Sequence, residues 1–419
     1  MYFKLEVKEM EQRLSLSLLL FVVISFLLIP SVQASPQTPL QDDYVEQTSE
    51  IDHVENGLKN AVDSQLDSLN LDELKGFWED VMGEYGGFLP ESQKGSLYDF
   101  IKGEKEFSLK EWFTGILKYA FHEFVANGKL LGSLVILTIF SMFLQSLQNA
   151  FENGAISKAA YAVVFMVLSI IALNSFYVAT TYAVDAITTM TSFIMALIPL
   201  ILALIAASGG LVSAAFFHPV ILFLMNISGL FIKTIVLPLL FLATLLSVVS
   251  VLSEQYKVTQ LAKLLRNGSI SLLGLFFTIF LGVISVQGAS AAVTDGITLK
   301  TAKFITGNFI PVIGRMFSDA TDTVISASVL LKNTVGIVGV AILLMIVAFP
   351  AIKILMIAFI YKFSAAILQP LGGGPIISCL DIIGKSIIYV FAALAIVSLM
   401  FFLSITVIVA AGNLTVMVR

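Results

Sequence analysis

One segment, residues 288–334, lies between two strongly apolar runs and yet carries seven charged side chains. They are Asp295, Lys300, Lys303, Arg315, Asp319, Asp322 and Lys332. Charged groups at bilayer depth are stable where they face protein, water or the membrane interface, and such groups often line a path for ions or protons. We therefore predict that this cluster forms a polar pathway. The alternative is that each charge lies at a helix end or extends to the interface.

The sequence does not provide the residues that covalent catalysis needs. No nucleophile and general base stand at a credible spacing. The chain has one cysteine, Cys379, and three widely separated histidines, so we expect no intrachain disulfide, zinc site or redox site. Gly384-Lys385-Ser386 resembles the end of a phosphate-binding loop, but Cys379 occupies the position that needs glycine. We predict a protein that is not an enzyme and binds no cofactor, metal or ATP.

The composition is typical of helical proteins that cross a membrane several times. Hydrophobic residues make up 58% and charged residues 13% of the 419, and the mean hydropathy is +0.94. Residues 35–129 hold 19 acidic and 8 basic side chains, whereas residues 130–419 hold 7 acidic and 13 basic ones. We predict an all-α polytopic membrane protein with an acidic N-terminal segment. Because no basic patch is mixed with aromatic residues, we expect no nucleic-acid binding.

The N-terminus has the layout of a secretory signal. An apolar run, 14–29, follows Arg13 and precedes a pattern of small residues that ends at Ala34. We predict that 1–34 is a signal peptide cleaved after Ala34. An uncleaved anchor is the alternative, and Met10 is an alternative start.

The segment 35–109 is predicted to be an acidic, helical, extracytoplasmic region. Asn70 and Glu73 stand at the spacing of a capping box, which would begin one of its helices. The following segment, 110–127, has an apolar stripe at helical spacing. The stripe consists of Trp112, Phe113, Ile116, Leu117, Ala120, Phe121, Phe124 and Val125. We predict a helix in the membrane interface, with a soluble helix that packs on the preceding helices as the alternative.

The polytopic domain is predicted to cover 128–419. Eight apolar segments are long enough to be transmembrane or re-entrant. They are Leu130–Ala150, Ala159–Thr181, Met190–Ala207, Val212–Phe231, Thr234–Leu252, Ser269–Gln287, Val335–Tyr361 and Lys385–Ala411. We interpret the short segment Met190–Ala207 as a candidate re-entrant element, and 288–334 as an amphipathic or re-entrant element.

Several residues in the polytopic domain are expected to interrupt helices or act as hinges. They are Pro199, Pro238, Pro311, Gly314 and Pro350. Pro199 and Pro311 are separated by the same interval as Pro238 and Pro350. This spacing suggests an internal repeat of 190–287 and 302–403, and such repeats often meet at a transport pathway. Chance is the alternative explanation of two shared prolines.

The distribution of basic residues predicts the orientation of the chain. An exported N-terminal segment places Ser253–Gly268, with Lys257, Lys263 and Arg266, on the cytoplasmic side, in agreement with the positive-inside rule. The basic residues of 288–334 fit this rule less well, because the same alternation places them outside or within the protein.

Several motifs carry a resemblance to a known family. SVQG, TAKF, NFIPVIG, FSDATDTV and LLKN lie in and around 288–334, EYGGFLPESQKGS covers 84–96, and GKLLGSLVILTIFSMFLQSLQNAFE covers 128–152. These motifs resemble the stage III sporulation protein AE family of endospore-forming bacteria. The resemblance implies a membrane component of the channel between mother cell and forespore, located in the mother-cell membrane around the engulfed forespore.

The same resemblance implies partners. These are the lipid bilayer, the other proteins of the stage III sporulation A operon, including a partner ATPase, and indirectly a forespore membrane protein. Homo-oligomerisation stays open. Our first hypothesis is an export-gate or platform subunit. The alternatives are a small-molecule permease and a pore-free scaffold for complex assembly.

Overall fold

The computed structural model describes 60–66, 69, 71–91, 94–105, 107–150, 155–252, 258–309, 313–371 and 374–417. The predicted signal peptide 1–34, with its predicted cleavage site at Ala34, therefore lies outside the described residues. So do the side chains of 288–323, although the backbone is described over 288–309 and 313–323. The described part of the chain contains helices and no strand, so the predicted all-α class is confirmed.

Eleven helices follow one another in the described residues. They are α1 (60–66), α2 (Asp72–Tyr85), α3 (Leu97–Ile101), α4 (Leu109–Ala126), α5 (Gly128–Ala150), α6 (Ala155–Ala207), α7 (Leu211–Phe231), α8 (Leu237–Leu252), α9 (Thr259–Phe309), α10 (Ile313–Leu368) and α11 (Pro375–Met417). A π-helical turn, Ile232–Val236, joins α7 to α8, and a 3-10 turn, Gln369–Leu371, follows α10.

Three helices are much longer than a bilayer is thick. Helices α6, α9 and α10 contain 53, 51 and 56 residues. At about 1.5 Å per residue each is roughly 75–85 Å long, whereas the hydrocarbon core of a bilayer measures about 30 Å. An unbroken helix of this length that crosses a bilayer once must extend well beyond it.

Six helical stretches of the described residues are long and apolar enough to cross a membrane, where the sequence predicted about eight transmembrane or re-entrant segments. The difference arises because Ala159–Thr181 and Met190–Ala207 belong to the single helix α6, and because Val212–Phe231 and Thr234–Leu252 form one helical run. Met190–Ala207 is thus the last third of a continuous helix.

Threonine side chains explain why the polar stretch inside α6 stays helical. The hydroxyl of Thr180 donates to the carbonyl of Phe176 at 2.9 Å, and that of Thr188 donates to the carbonyl of Val184 at 2.8 Å. Thr191 makes the same bond. Hydroxyls that bond to the preceding turn need no water, so a polar stretch that resembles a loop continues the helix.

The prolines differ in their effect on the backbone. Pro238 comes directly after the π-helical turn, where the amide of Leu237 donates to the carbonyl of Ile232. A proline has no amide hydrogen, and a wider turn before it relieves the missing bond. Pro199 and Pro350 lie inside continuous helices and end neither of them. Their role as hinges stays a prediction, and Pro311 lies outside the described residues.

Helices α6, α10 and α11 make the most extensive contacts with one another and form the centre of the core. Two glycines of α10 let its neighbours approach closely. A Cβ atom on Gly336 would lie 2.6 Å from Val409 Cγ2 of α11, and one on Gly339 would lie 2.6 Å from Leu197 Cδ2 of α6. Small residues at such crossings are typical of membrane helices, because close packing supplies much of their attraction.

The N-terminal helices pack on this core. Helices α2, α3 and α4 contact α10, and α2 also contacts α6. The N-cap of α3 is a capping box, in which Ser96 N donates to Asp99 Oδ2 at 2.8 Å and Asp99 N donates to Ser96 Oγ. The predicted capping box at Asn70 and Glu73 is not formed, because α2 begins at Asp72 with Leu71 as its N-cap and no side-chain cap.

The segment 288–334 is divided between two long helices. Its first part continues α9 to Phe309, and its second part begins α10 at Ile313, with Gly314 in the first turn. The amphipathic or re-entrant character of the segment, like the internal repeat, stays a prediction.

Candidate functional site

Helix α10 is the element that most of the candidate residues share. On the backbone, Asp295, Lys300 and Lys303 lie in the last third of α9. The others follow in α10: Arg315, Asp319 and Asp322 come near its start, and Lys332 comes further along. The structure describes the side chain of Lys332 alone among these seven, so the predicted pathway stays a prediction.

Lys332 is fully buried in the core, with an exposed fraction of 0%. One helical turn before it stands Ser328, which is also fully buried. A lysine inside an apolar core needs polar contacts, because an ionised amine that lacks them costs several kcal/mol to bury. Lys332 and Ser328 therefore form a polar position on α10 inside the apolar core.

The N-terminal segment contacts α10 at this polar position. Gln65 of α1 donates from Nε2 to Ser328 Oγ at 2.8 Å, and Ser328 Oγ lies 3.1 Å from Gln65 Oε1. The hydroxyl of Ser328 also donates to the carbonyl of Val324 within its own helix. This contact could not be predicted from the sequence, since the partners are far apart in the chain.

A second contact joins the N-terminal segment to α10 about seven turns further along. Lys353 Nζ lies 3.5 Å from Glu84 Oε1. The same ammonium group stands 5.6 Å from the ring centre of Tyr85 and 5.3 Å from that of Tyr182. Such cation–π contacts favour a cation at this depth. In the sequence Lys353 stands within the apolar run Val335–Tyr361, and nothing there indicates its partners.

Aromatic rings complete the second contact. The rings of Tyr85 and Phe349 stack with centroids 4.0 Å apart and planes 5° apart, and Tyr119 of α4 meets Phe349 edge-on at 4.9 Å. Burial raises the pKa of Tyr85, and Glu84 raises it further. Burial raises the pKa of Tyr119 as well, and the neighbouring side chain of Glu123 raises it further. Both phenols are thus held in the neutral form.

Further polar groups lie beside Lys353 and on neighbouring helices. Lys233, in the π-helical turn, donates from Nζ to Thr188 Oγ1 of α6 at 3.2 Å. Asp185, three residues before Thr188, is exposed. Tyr182, one turn before Asp185 on α6, meets Lys353. Three helical elements therefore place a charged side chain near one level along α6, 182–188.

Another charged group lies near the C-terminal end of α10. Asp381 of α11 accepts from Lys362 Nζ at 2.6 Å and from Lys385 Nζ at 2.7 Å. This cluster adjoins the connection from α10 to α11. Two lysines on one carboxylate leave the group with a net positive charge.

Helix α4 divides its apolar stripe between two faces. Trp112, Ile116 and Phe124 are partly buried against the core, and Tyr119 is buried. The other face remains open: Phe113, Leu117, Phe121 and Val125 are each more than 60% exposed. The predicted membrane-interface helix therefore packs on the core through one side, and its other side is exposed.

The described residues contain no cluster of histidine, cysteine, aspartate or glutamate that could hold a metal ion. Cys379 is buried. The groups that the structure brings together are thus ion pairs, hydroxyls and aromatic rings, which suit packing and positioning.

Comparison with known proteins identifies the family. The model of the family described as stage III sporulation protein AE matches residues 92–412. A curated relative, stage III sporulation protein AE of Bacillus subtilis (strain 168), is 69% identical over 374 residues, which cover 89% of this chain and 93% of the relative. The chain belongs to the stage III sporulation protein AE family.

Membership confirms the resemblance found in the sequence motifs, and it makes the chain a sporulation protein. Its six long apolar helical stretches are those of a membrane protein. The region matched by the stage III sporulation protein AE model includes the whole polytopic domain up to residue 412, together with α3 and α4. No solved structure matches the chain.

Proposed function

We propose that this member of the stage III sporulation protein AE family is an export-gate or platform subunit of the channel complex between mother cell and forespore. The observation that carries the proposal is the attachment of the N-terminal helices along α10, the helix that also contains Arg315, Asp319, Asp322 and Lys332. Such an arrangement couples an acidic docking segment to a polar membrane element.

The lengths of the helices support a platform. We take the level of Asp185, Lys233 and Lys353 as one membrane interface, because charges collect where a helix leaves the hydrocarbon core. From Asp185, α6 continues to Ala207, about 33 Å further. The first part of α10, 313–352, then lies beyond the same level and meets the N-terminal helices. This projecting half would stand in the intermembrane space.

The partners follow from this orientation. An exported acidic segment on the projecting half would meet the other proteins of the stage III sporulation A operon and, through them, a forespore membrane protein. Energy would come from a partner ATPase, since the sequence has no phosphate-binding loop. The chain would act without a covalent step, in the mother-cell membrane around the forespore.

Charge-neutral variants separate the gate from the scaffold. We expect Asp319→Asn with Asp322→Asn to lower spore yield at least tenfold in cells that lack the native protein, while the complex still co-purifies. The matched control is Asp185→Asn, which removes an exposed carboxylate of α6 and should leave spore yield unchanged. Normal spore yield from the double variant would contradict both the export gate and the small-molecule permease, and would favour the pore-free scaffold.

A further inference from the structure

A pocket of about 190 Å³ lies between the end of α8, the start of α9 and α11. Its basic side chains are Lys263, Arg266 and Lys385. Hydroxyl groups complete the polar part of the wall: they belong to Thr244, Ser247, Ser250, Thr259, Ser386 and Tyr389. No carboxylate is among the described residues that line the pocket. The wall therefore favours an anion.

The neighbouring charges leave the pocket positive. Lys385 is paired with Asp381, but the same carboxylate also accepts from Lys362. One negative charge thus faces two lysines, and Lys263 and Arg266 add two more positive charges on α9. Electrostatic attraction is stronger in a partly buried site, where the dielectric constant is lower than in water, so an anion would be held there.

Arg266 is positioned to donate hydrogen bonds. Its guanidinium lies 5.6 Å from the centre of the Tyr389 ring, and a ring beside the guanidinium plane limits its orientations. Its Nε atom is buried and has no acceptor in the described part of the chain. A buried donor of this kind is costly unless a ligand or water satisfies it. A phosphate oxygen would do so, because the arginine fork matches phosphate geometry.

The size and the surroundings indicate which phosphate compound fits. A volume of about 190 Å³ equals roughly six water molecules, enough for a headgroup phosphate and too small for a whole lipid. The outer surfaces of α8 and α9 beside it are apolar and exposed at Leu242, Val249, Leu261 and Leu264. Acyl chains would lie along these surfaces while the headgroup occupies the pocket.

We propose that this pocket, named here the α8–α9 pocket, binds the phosphate headgroup of an anionic phospholipid. Arg266 and Lys263 contact the phosphate, and Lys385 adds charge from α11. Basic pockets near the ends of membrane helices are suited to anionic headgroups. This site is separate from the N-terminal contacts on α10 and does not depend on the proposed gate function.

Lipid binding by the purified full-length chain tests the proposal. Native mass spectrometry in a neutral detergent would give affinities for phosphatidylglycerol, phosphatidylcholine and inorganic phosphate. We expect preferential binding of phosphatidylglycerol, and about tenfold weaker binding in Arg266→Gln. Lys263→Gln changes an exposed residue and should weaken binding in the same direction, which keeps the test valid if Arg266→Gln fails to fold.

The control is Lys233→Gln, which removes a lysine at the other end of α8, away from the pocket. It should bind phosphatidylglycerol like the unchanged protein. Equal affinities for phosphatidylglycerol in all folded variants would overturn the proposal. Inorganic phosphate that binds as tightly as the lipid would also overturn it, in favour of a site for free anions.

Discussion

At the scale of single residues, a few long-range contacts attach the N-terminal segment to α10. Gln65 meets Ser328, and Glu84 and Tyr85 meet Lys353. An exposed ion pair contributes little by itself, about 0–1 kcal/mol, so most of the attachment free energy at Lys353 must come from the buried aromatic rings beside it.

Replacement of Tyr85 tests this division. We expect Tyr85→Ala to lower the free energy of unfolding by about 3 kcal/mol, because the ring is buried and stacks on Phe349. Glu84→Gln should cost less than about 1 kcal/mol. Thermal unfolding in detergent, with limited proteolysis of the N-terminal helices, would measure both. A larger loss of unfolding free energy from Glu84→Gln than from Tyr85→Ala would show that the ion pair, and not the aromatic rings, supplies most of the attachment.

The raised pKa values of Tyr85 and Tyr119 predict a pH dependence. In the unfolded chain both phenols lose their protons near pH 10, whereas in the folded chain the pKa values are higher. Stability is therefore fully present below about pH 10 and is lost as the pH rises above it. Melting temperatures between pH 8 and pH 11 would reveal the fall. The double variant with Tyr85→Phe and Tyr119→Phe should show a smaller fall.

At the scale of elements, close helix packing leaves no room for a side chain at Gly336 of α10. A Cβ atom at Gly336 meets the stiff side chain of Val409 at 2.6 Å, whereas one at Gly274 of α9 meets nothing within 4 Å. We expect Gly336→Ala to destabilise the chain by about 1–3 kcal/mol. Gly274→Ala should be neutral or stabilising by up to about 1 kcal/mol. Thermal melting of the two variants side by side measures the difference, and equal melting temperatures would argue against the close crossing.

The exposed face of α4 predicts contact with lipid. We expect tryptophan at position 121, introduced as Phe121→Trp with Trp112→Phe, to be quenched by brominated lipids, because Phe121 is 71% exposed in an apolar stripe. Tryptophan at Lys118, on the polar side, is the control and should be quenched less. Equal and weak quenching at both positions would support the soluble alternative.

The sequence predicted the helices more reliably than their ends. Apolar runs identify membrane helices because burial in lipid requires apolar side chains and internal backbone hydrogen bonds. The predicted segments Ala159–Thr181 and Met190–Ala207 left 182–189 between them, with Asp185, Thr188 and Thr189. The hydroxyls of Thr188 and Thr191 bond to the preceding turn, and local composition cannot distinguish that bond from one to water.

The candidate site shows the same limit. Lys332 and Lys353 stand in or near apolar runs of the sequence. Their surroundings could not be predicted, since Glu84 and Lys353 are distant in the chain and meet only through the packing of α2 on α10. The pocket at Arg266 was missed for the same reason, as its wall comes from three helices.

At the scale of the whole molecule, the proposed bilayer surrounds one half of the long helices, and the other half projects from it. Asp185, Lys233 and Lys353 mark the proposed boundary, and α10 extends beyond it towards Ile313. The segment 288–334, which ends α9 and begins α10, would then lie on the projecting side, where water and partner proteins can reach it.

Cysteine accessibility across 288–334 would show whether water reaches this segment. The native cysteine, Cys379, is buried and would be replaced by serine, and single cysteines would be placed from Asp295 to Lys332. Each would be treated in intact membranes with a membrane-impermeant thiol reagent. We expect reactivity that repeats at helical spacing and comes from one side of the membrane. Uniform protection of every position would mean a fully buried segment, and would contradict a water-accessible gate.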